Sequence, residues 1–332
     1  MNPVLVEVFR NDQLESCHRG AVVALNSSGD TIFELGDINA LVFPRSSLKP
    51  IQAIPLLESG AADFFELTGQ EIALACASHN AERSHQAVLA SWMSKLSLEV
   101  EDLECGPALP MHQITAHQLL RDGGVAARDL HNCSGKHTGM LTLARFLEQP
   151  LQDYSNYKHA TQQCWMDVLT ELSGERIQDL PWDRDGCGMP AVALPLIAFA
   201  RALSAFCKPA DHSPERARAM HAILRSMNEH ADLVAGSDRC CTATMRAHSD
   251  LVVKTGAEGV FAAIAPEAGI AIALKVDDGA TRASDVVLGA TLRKLGVLSE
   301  QQYSDLASWY TPSVVNSQKF VTGRVVPSSA WS

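Results

Sequence analysis

Short β-branched runs crowd the two ends of this chain and leave a long middle with helical periodicity, and this distribution constrains the fold more than any other feature. Val4 to Phe9, Ala21 to Leu25 and Thr31 to Leu35 alternate with Gly, Asn, Ser and Asp turn chemistry and predict an antiparallel ladder. Leu251 to Thr255, Gly259 to Ala265 and Gly269 to Val276 predict three more strands. Between the two sets, apolar residues recur at helical spacing in Glu71 to Cys76, Ser84 to Leu96, His137 to Leu147, Ala160 to Leu172, Ala191 to Phe206 and Pro214 to Met227. Ala283 to Leu295 and Glu300 to Trp309 predict two closing helices. The expectation is an α+β fold: an antiparallel sheet built from both termini, flanking helices, and a helical subdomain inserted at roughly 60–235. No linker-like stretch or internal repeat divides residues 1–332, so one domain is expected, with Pro327-Ser328-Ser329 as its only tail-like segment.

Composition narrows the function classes. Hydrophobic residues at 46% and charged ones at 20% describe a soluble globular chain, and 332 residues can bury a large core. A net charge of -11 repels phosphate backbones and acidic membrane surfaces, which argues against nucleic acid and membranes as partners. Ala191 to Ala200, the longest apolar stretch, contains Pro195 and is too short to span a bilayer. No basic leader precedes an apolar run at the N-terminus, so a cytoplasmic location is expected. In a reducing compartment the nine cysteines are thiols or metal ligands and not a disulfide framework.

Three dispersed motifs carry candidate chemistry. Ser46-Ser47-Leu48-Lys49, Ser78-His79-Asn80 and Lys254-Thr255-Gly256 form an ordered S-x-x-K, S-x-N, K-T-G set, the pattern of serine hydrolases that activate their nucleophile with lysine. Each motif alone is weak, since Ser155 with Lys158 and Ser226 with Asn228 repeat two of them. A serine hydroxyl needs a base within hydrogen-bond reach, and Lys49, one helical turn beyond Ser46, can provide it if burial and a second cation, Lys254, favour its neutral form. Pro50 restricts Lys49 unless it falls in the first helical turn, which would make Ser46 and Lys49 straddle a helix start. The competing reading of Ser46 is a plain N-cap.

Ser78-His79-Asn80 falls on a turn between two helices, where Ser78 can relay a proton and Asn80 can orient a substrate amide, or where both simply cap helices. Gly256, at a strand end, would let substrate approach the backbone. Arg45 can hold a carboxylate or be a surface charge.

His131-Asn132-Cys133-Ser134-Gly135-Lys136-His137 and Asp185-Gly186-Cys187-Gly188 form a second constellation. Two thiolates with a nitrogen or oxygen ligand suit zinc, although no C-x-x-C is present and both cysteines could be small apolar residues in tight turns. A Cys133 nucleophile with His137 as base is a further reading, less attractive because it leaves the serine-lysine set idle. Cys76, Cys105, Cys164 and Cys207 lie in apolar surroundings and are expected in the core.

Together, Phe43 to Pro50, Ala77 to Asn80, His131 to His137, Asp185 to Gly188 and Lys254 to Gly259 resemble the rhizobial-type L-asparaginases, the asparaginase II family, over nearly the whole chain. The resemblance implies hydrolysis of L-asparagine to L-aspartate and ammonia, a fold like that of serine β-lactamases and glutaminases, and a homodimer. It carries nucleophile and base onto Ser46 and Lys49 and a second pair onto Ser78 and Lys254. It also implies zinc held by Cys133, Lys136 and Cys187, near Asp185, Arg45 and His137, and a substrate pocket drawing on Arg45, His79, Asn80, Asp185 and Gly256. Two other readings compete: a β-lactamase or D,D-peptidase relative, and a non-catalytic zinc- or amino-acid-binding protein.

Overall fold

The computed structural model describes residues 1–332, which divide into two compact units. The first comprises Met1–Ser47, Leu194–Cys207 and Ala243–Ser332. Its eight strands are β1 (Val4–Arg10), β2 (Gln13–Asn26), β3 (Thr31–Leu35), β4 (Val252–Gly256), β5 (Val260–Ala265), β6 (Ile270–Val276), β7 (Ser313–Val315) and β8 (Val321–Pro327). They form one antiparallel sheet in the order β7-β8-β1-β2-β6-β5-β4, with β3 paired to β2. The sheet is therefore assembled from both ends of the chain, as the distribution of β-branched runs requires.

β2 is long enough to serve three partners, β1 through Gln13–Arg19, β6 through Gly20–Asn26, and β3 through Val22–Leu25. All six residues of β5 are buried, so both of its faces are covered, and the helices Leu196–Ser204 and Thr281–Lys294 pack on these central strands. The C-terminal segment is not a tail. Val321–Pro327 pairs with β1, placing Val6 opposite Pro327, and the Trp331 indole donates to the Leu5 carbonyl at 2.9 Å. Only Val325 of β8 is buried, which explains why its apolar pattern is faint.

The second unit, Leu48–Ala193 with Lys208–Thr242, is helical. Its main helices are Gly69–Ala75, Arg83–Lys95, Ser134–Phe146, Ala160–Ser173 and Pro214–Glu229. Local chemistry marks their ends: the Ser213 side chain caps Pro214–Glu229, with proline in its first turn, and Gly174 at φ 76° stops Ala160–Ser173. Trp92, Leu141, Trp165, Met166, Leu169 and Met227 fill the core. Residues 134–144 are buried on every side of their helix, so Gly135 is obligatory: a Cβ there would stand 2.3 Å from the Leu74 carbonyl oxygen.

One expected helix is shorter than its apolar run. Pro190–Val192 and Leu194–Pro195 are short strands, and the helix begins only at Leu196, because Pro195 at ψ 139° has extended backbone geometry. Cys76 and Cys105 are buried as expected, whereas Cys164 and Cys207 are only half-buried.

Candidate active site

The chain enters the site through Arg45–Leu48, a 3-10 turn that leads directly into the helix Lys49–Gln52 with Pro50 in its first turn. Ser46 and Lys49 thus flank a helix start, the geometry that reconciles the motif with its proline. Arg45 sits at φ 54°, a left-handed conformation that costs a non-glycine residue about 1–2 kcal/mol.

The boundary between the units falls between Ser47 and Leu48. Arg45, Ser46, Lys254 and Gly256 therefore belong to the first unit, and all the other candidate residues to the second.

In the first unit, β4 runs its end against this turn. A Cβ on Gly256 would stand 2.4 Å from the Pro44 carbonyl oxygen and 3.3 Å from the Ser47 nitrogen, so only glycine permits the approach. Lys254, two residues earlier, shares that strand face, is 2% exposed and donates to the Thr255 carbonyl at 2.8 Å. Ser47 is fixed locally, its hydroxyl donating to the Pro44 carbonyl at 2.6 Å. Its role is to hold the turn.

In the second unit, the Lys49 ammonium is fully buried and uses each of its donors: to the Ala77 carbonyl, to Ser78 Oγ at 3.1 Å and to Cys133 Sγ at 3.2 Å. One lysine thus joins the first motif to the second and to the cysteine constellation. Were Lys49 neutral, its lone pair could accept from Ser78 or from Cys133.

The turn that carries Ser78 is rigid. The N–H groups of Ser78 and Asn80 donate to the carbonyls of Val234 and Ala235 at 2.9 Å each, and that of His79 to Asn132 at 3.1 Å. The Asn80 amide donates to the Ser237 carbonyl at 2.8 Å and to Glu82 at 3.0 Å, while its oxygen accepts from Arg239 at 2.9 Å. Arg239 also reaches the Ser78 carbonyl at 3.2 Å. Asn80 is fully buried with its donors engaged, which suits a residue that positions the turn.

His79 is held just as firmly. Its Nδ1 accepts the Ala81 N–H at 3.1 Å, so Nε2 carries the proton and donates to Ser134 Oγ at 2.8 Å. Burial, His85 stacked alongside, and Lys49 hold its pKa well below the usual histidine range. The ring is neutral at pH 7. Ala81 closes this turn at φ 56°, so a left-handed non-glycine residue adjoins each of the two serine motifs.

Cys133 and Cys187 are buried and hydrogen-bonded to each other. The bond from Cys187, reinforced by Lys49, Lys136 and His131, holds the Cys133 thiol well below its usual range, while Cys187, donor of that bond and buried, is held well above. The Lys136 ammonium lies 3.1 Å from Cys187 Sγ. Burial opposes its charge, but Cys187, Cys133 and Asp185 outweigh burial and raise its pKa. Asp185 sits half-buried on a tight turn, its carbonyl accepting from Gly188 at 2.8 Å. The four side chains Lys49, Cys133, Cys187 and Lys136 form one buried row, two thiols flanked by two lysines.

No group of three or more His, Cys, Asp or Glu side chains is clustered to hold a metal ion. The expected zinc set fits only with Lys136 as third donor, and that lysine must first lose the proton its neighbours stabilise. His137 does not complete the set: Nδ1 is bonded to the Tyr154 hydroxyl at 2.7 Å, and its buried Nε2 has no partner.

Arg239, Glu82, Ser134 and Tyr154 are the site residues that motif reading did not single out. Only Ser134 carried a signal, since it lies inside the His131 to His137 run.

Comparison with known proteins adds a family. Among solved structures, a β-lactamase from Mycobacterium bovis is 13% identical, with 83% of this chain and 94% of that one covered at a TM-score of 0.43. A β-lactamase from Sphaerobacter thermophilus is 13% identical over 85% and 93%, at 0.40. Unliganded simvastatin synthase from Aspergillus terreus is 11% identical over 88% and 94%, at 0.42. No curated protein matches the chain. The sequence profile described as L-asparaginase II matches residues 6–327. With that match running nearly end to end, the chain belongs to the L-asparaginase II family of hydrolases.

Proposed function

We propose that the protein hydrolyses the side-chain amide of L-asparagine, giving L-aspartate and ammonia, with Ser46 as nucleophile and Lys49 as its base. The observation that carries the reading is the buried Lys49 amino group, 3.1 Å from Ser78 Oγ and one helical turn from Ser46 in sequence, in a chain of this family; it serves as base in its neutral form.

Lys49 takes the Ser46 proton as the hydroxyl attacks the amide carbon, and a tetrahedral intermediate forms. Ser78 and Lys254 relay that proton from Lys49 to the departing nitrogen, ammonia leaves, Lys49 is neutral again, and an aspartyl ester of Ser46 remains. Water, deprotonated by the same lysine, cleaves that ester and restores the enzyme. Arg45 receives the substrate α-carboxylate. Asn80, His79 and Arg239 act as positioning residues, keeping the Ser78 turn in register.

Where a thiophilic divalent metal is bound, Cys133, Lys136 and Cys187 would hold it, and it would supply a fixed positive charge to complement a carboxylate.

Ammonia release from L-asparagine by Ser46→Ala and Lys49→Met tests the assignment. Each substitution is expected to lower kcat by about 10²–10⁴-fold. Near-wild-type turnover in either would remove the role given to that residue.

A further inference from the structure

Away from this site, still within the second unit, lies a groove of about 500 Å³ that neither the motifs nor the proposed reaction uses. It runs along one stripe of the helix Pro214–Glu229 and faces Ala62, Asp63, Gly69 and Ile72. Its floor is built from small or apolar side chains: Ala62, Ile72 and Ala219 are buried, and Ala222 is half-buried. Such a volume falls in the range of small-molecule sites.

The polar groups bordering the groove are of both signs and are not satisfied by one another. Arg225, Asp63 and Glu229 form no hydrogen bond or ion pair through their side chains. Arg218 has only a 3.8 Å contact with Glu215. The His230 ring and the Ser226 hydroxyl are likewise without partners, and both converge on one point. The Cβ position absent at Gly69 lies 3.1 Å from His230 Nε2 and 3.4 Å from Ser226 Oγ.

A lone anion would gain Arg225 but meet Asp63 and Glu229, and a lone cation would meet both arginines. A zwitterion satisfies both signs at once.

We propose that this groove is a second ligand site, which takes a free α-amino acid with an aliphatic side chain. The Arg225 guanidinium holds the carboxylate, with Ser226 and His230 as further hydrogen-bonding groups. Glu229 and Asp63 hold the ammonium, and the side chain lies on Ala62, Ile72, Ala219 and Ala222. Charge-assisted bonds to guanidinium set the orientation, while the small floor residues leave the room.

The test is calorimetric titration of the full chain with L-leucine as probe. Wild type is expected to bind with a saturable heat at one site. Arg225→Gln should weaken that binding by about tenfold or more, the loss of one charge-assisted contact. Ala222→Phe should abolish it by filling the groove. N-acetyl-L-leucine and L-leucine methyl ester, each lacking one of the two charges, should bind about tenfold more weakly than L-leucine. The proposal is overturned if wild type shows no saturable heat, if neither substitution moves the affinity, or if the two derivatives bind as well as the free amino acid. Arg225 is exposed, so its variant decides the matter should Ala222→Phe fail to fold.

Discussion

The two units bury polar chemistry in opposite ways. In the first, the sheet satisfies its buried polar groups mainly through the backbone ladder, and its strands fill the interior with Val, Ile, Leu, Ala and Phe. In the second, the helices satisfy their own backbones, and the interior accepts side chains that bond to each other: Lys49, Lys136, His79, His85, His137 and Ser134 are all buried there. Buried polar networks of this kind stabilise most when every member is paired, and here the His137 Nε2 is an exception. The contrast implies that damage to the sheet reads out as lost stability, whereas damage to the helical interior reads out as altered stability, titration and turnover together.

The largest expected effect tests the sheet half of that contrast. Leu274→Ala, at a fully buried position of β6, should cost about 2–5 kcal/mol in urea unfolding. Ammonia release per folded molecule should stay at the wild-type level. A fall in turnover larger than the folded fraction explains would break the contrast.

Asn80→Ala comes next. It strands Arg239 and the Ser237 carbonyl, so a stability loss of about 1–3 kcal/mol is expected, together with reduced kcat. Turnover unchanged beside a lower unfolding midpoint would deny Asn80 its positioning role.

The smallest effect, taken per histidine and per pH unit, is a pH dependence belonging to the second unit. Burial holds His79, His85 and His137 neutral with pKa values below the ordinary 6.5. Below pH 6.5 the unfolded chain therefore binds protons that the folded chain does not, and stability falls as pH drops. The contribution is complete above about pH 6.5 and declines by up to about 1.4 kcal/mol per pH unit for each histidine below it. Unfolding midpoints measured from pH 7.5 to 5 would record this slope, and His79→Asn should flatten it. A midpoint that does not fall below pH 6.5 would contradict the neutral, buried assignment.

Much of the fold was legible because β-branched runs and turn residues report strand propensity locally. The segments misread are those where local signals are diluted. Val321–Pro327 contains a glycine, an arginine and a terminal proline and buries one residue, so its pairing with β1 left little trace in its composition. In Ala191 to Phe206 helical spacing runs on through Pro195, although a proline inside such a run ordinarily marks a boundary, and the helix starts only at Leu196. At the site, motif spacing singled out Ser46, Lys49, Ser78 and Lys254, since each lies in a short recognisable string. It could not show that Lys49 reaches Cys133, 84 residues away, or that Arg239 clamps Asn80 from 159 residues away. Contacts between remote segments are products of packing, which no local pattern encodes.

The pairing of β1 with β8 has a kinetic side. Most of the chain separates these two neighbours, and β1 bonds on one edge to a strand that is synthesised long after it. Pairings of such sequence separation form slowly. During synthesis β1 can pair with β2 alone, and its other edge stays open as a template for foreign strands until the last strand arrives. Pairing by Val321–Pro327 thus closes that open edge, and the sheet is complete only once this strand has been made and has paired.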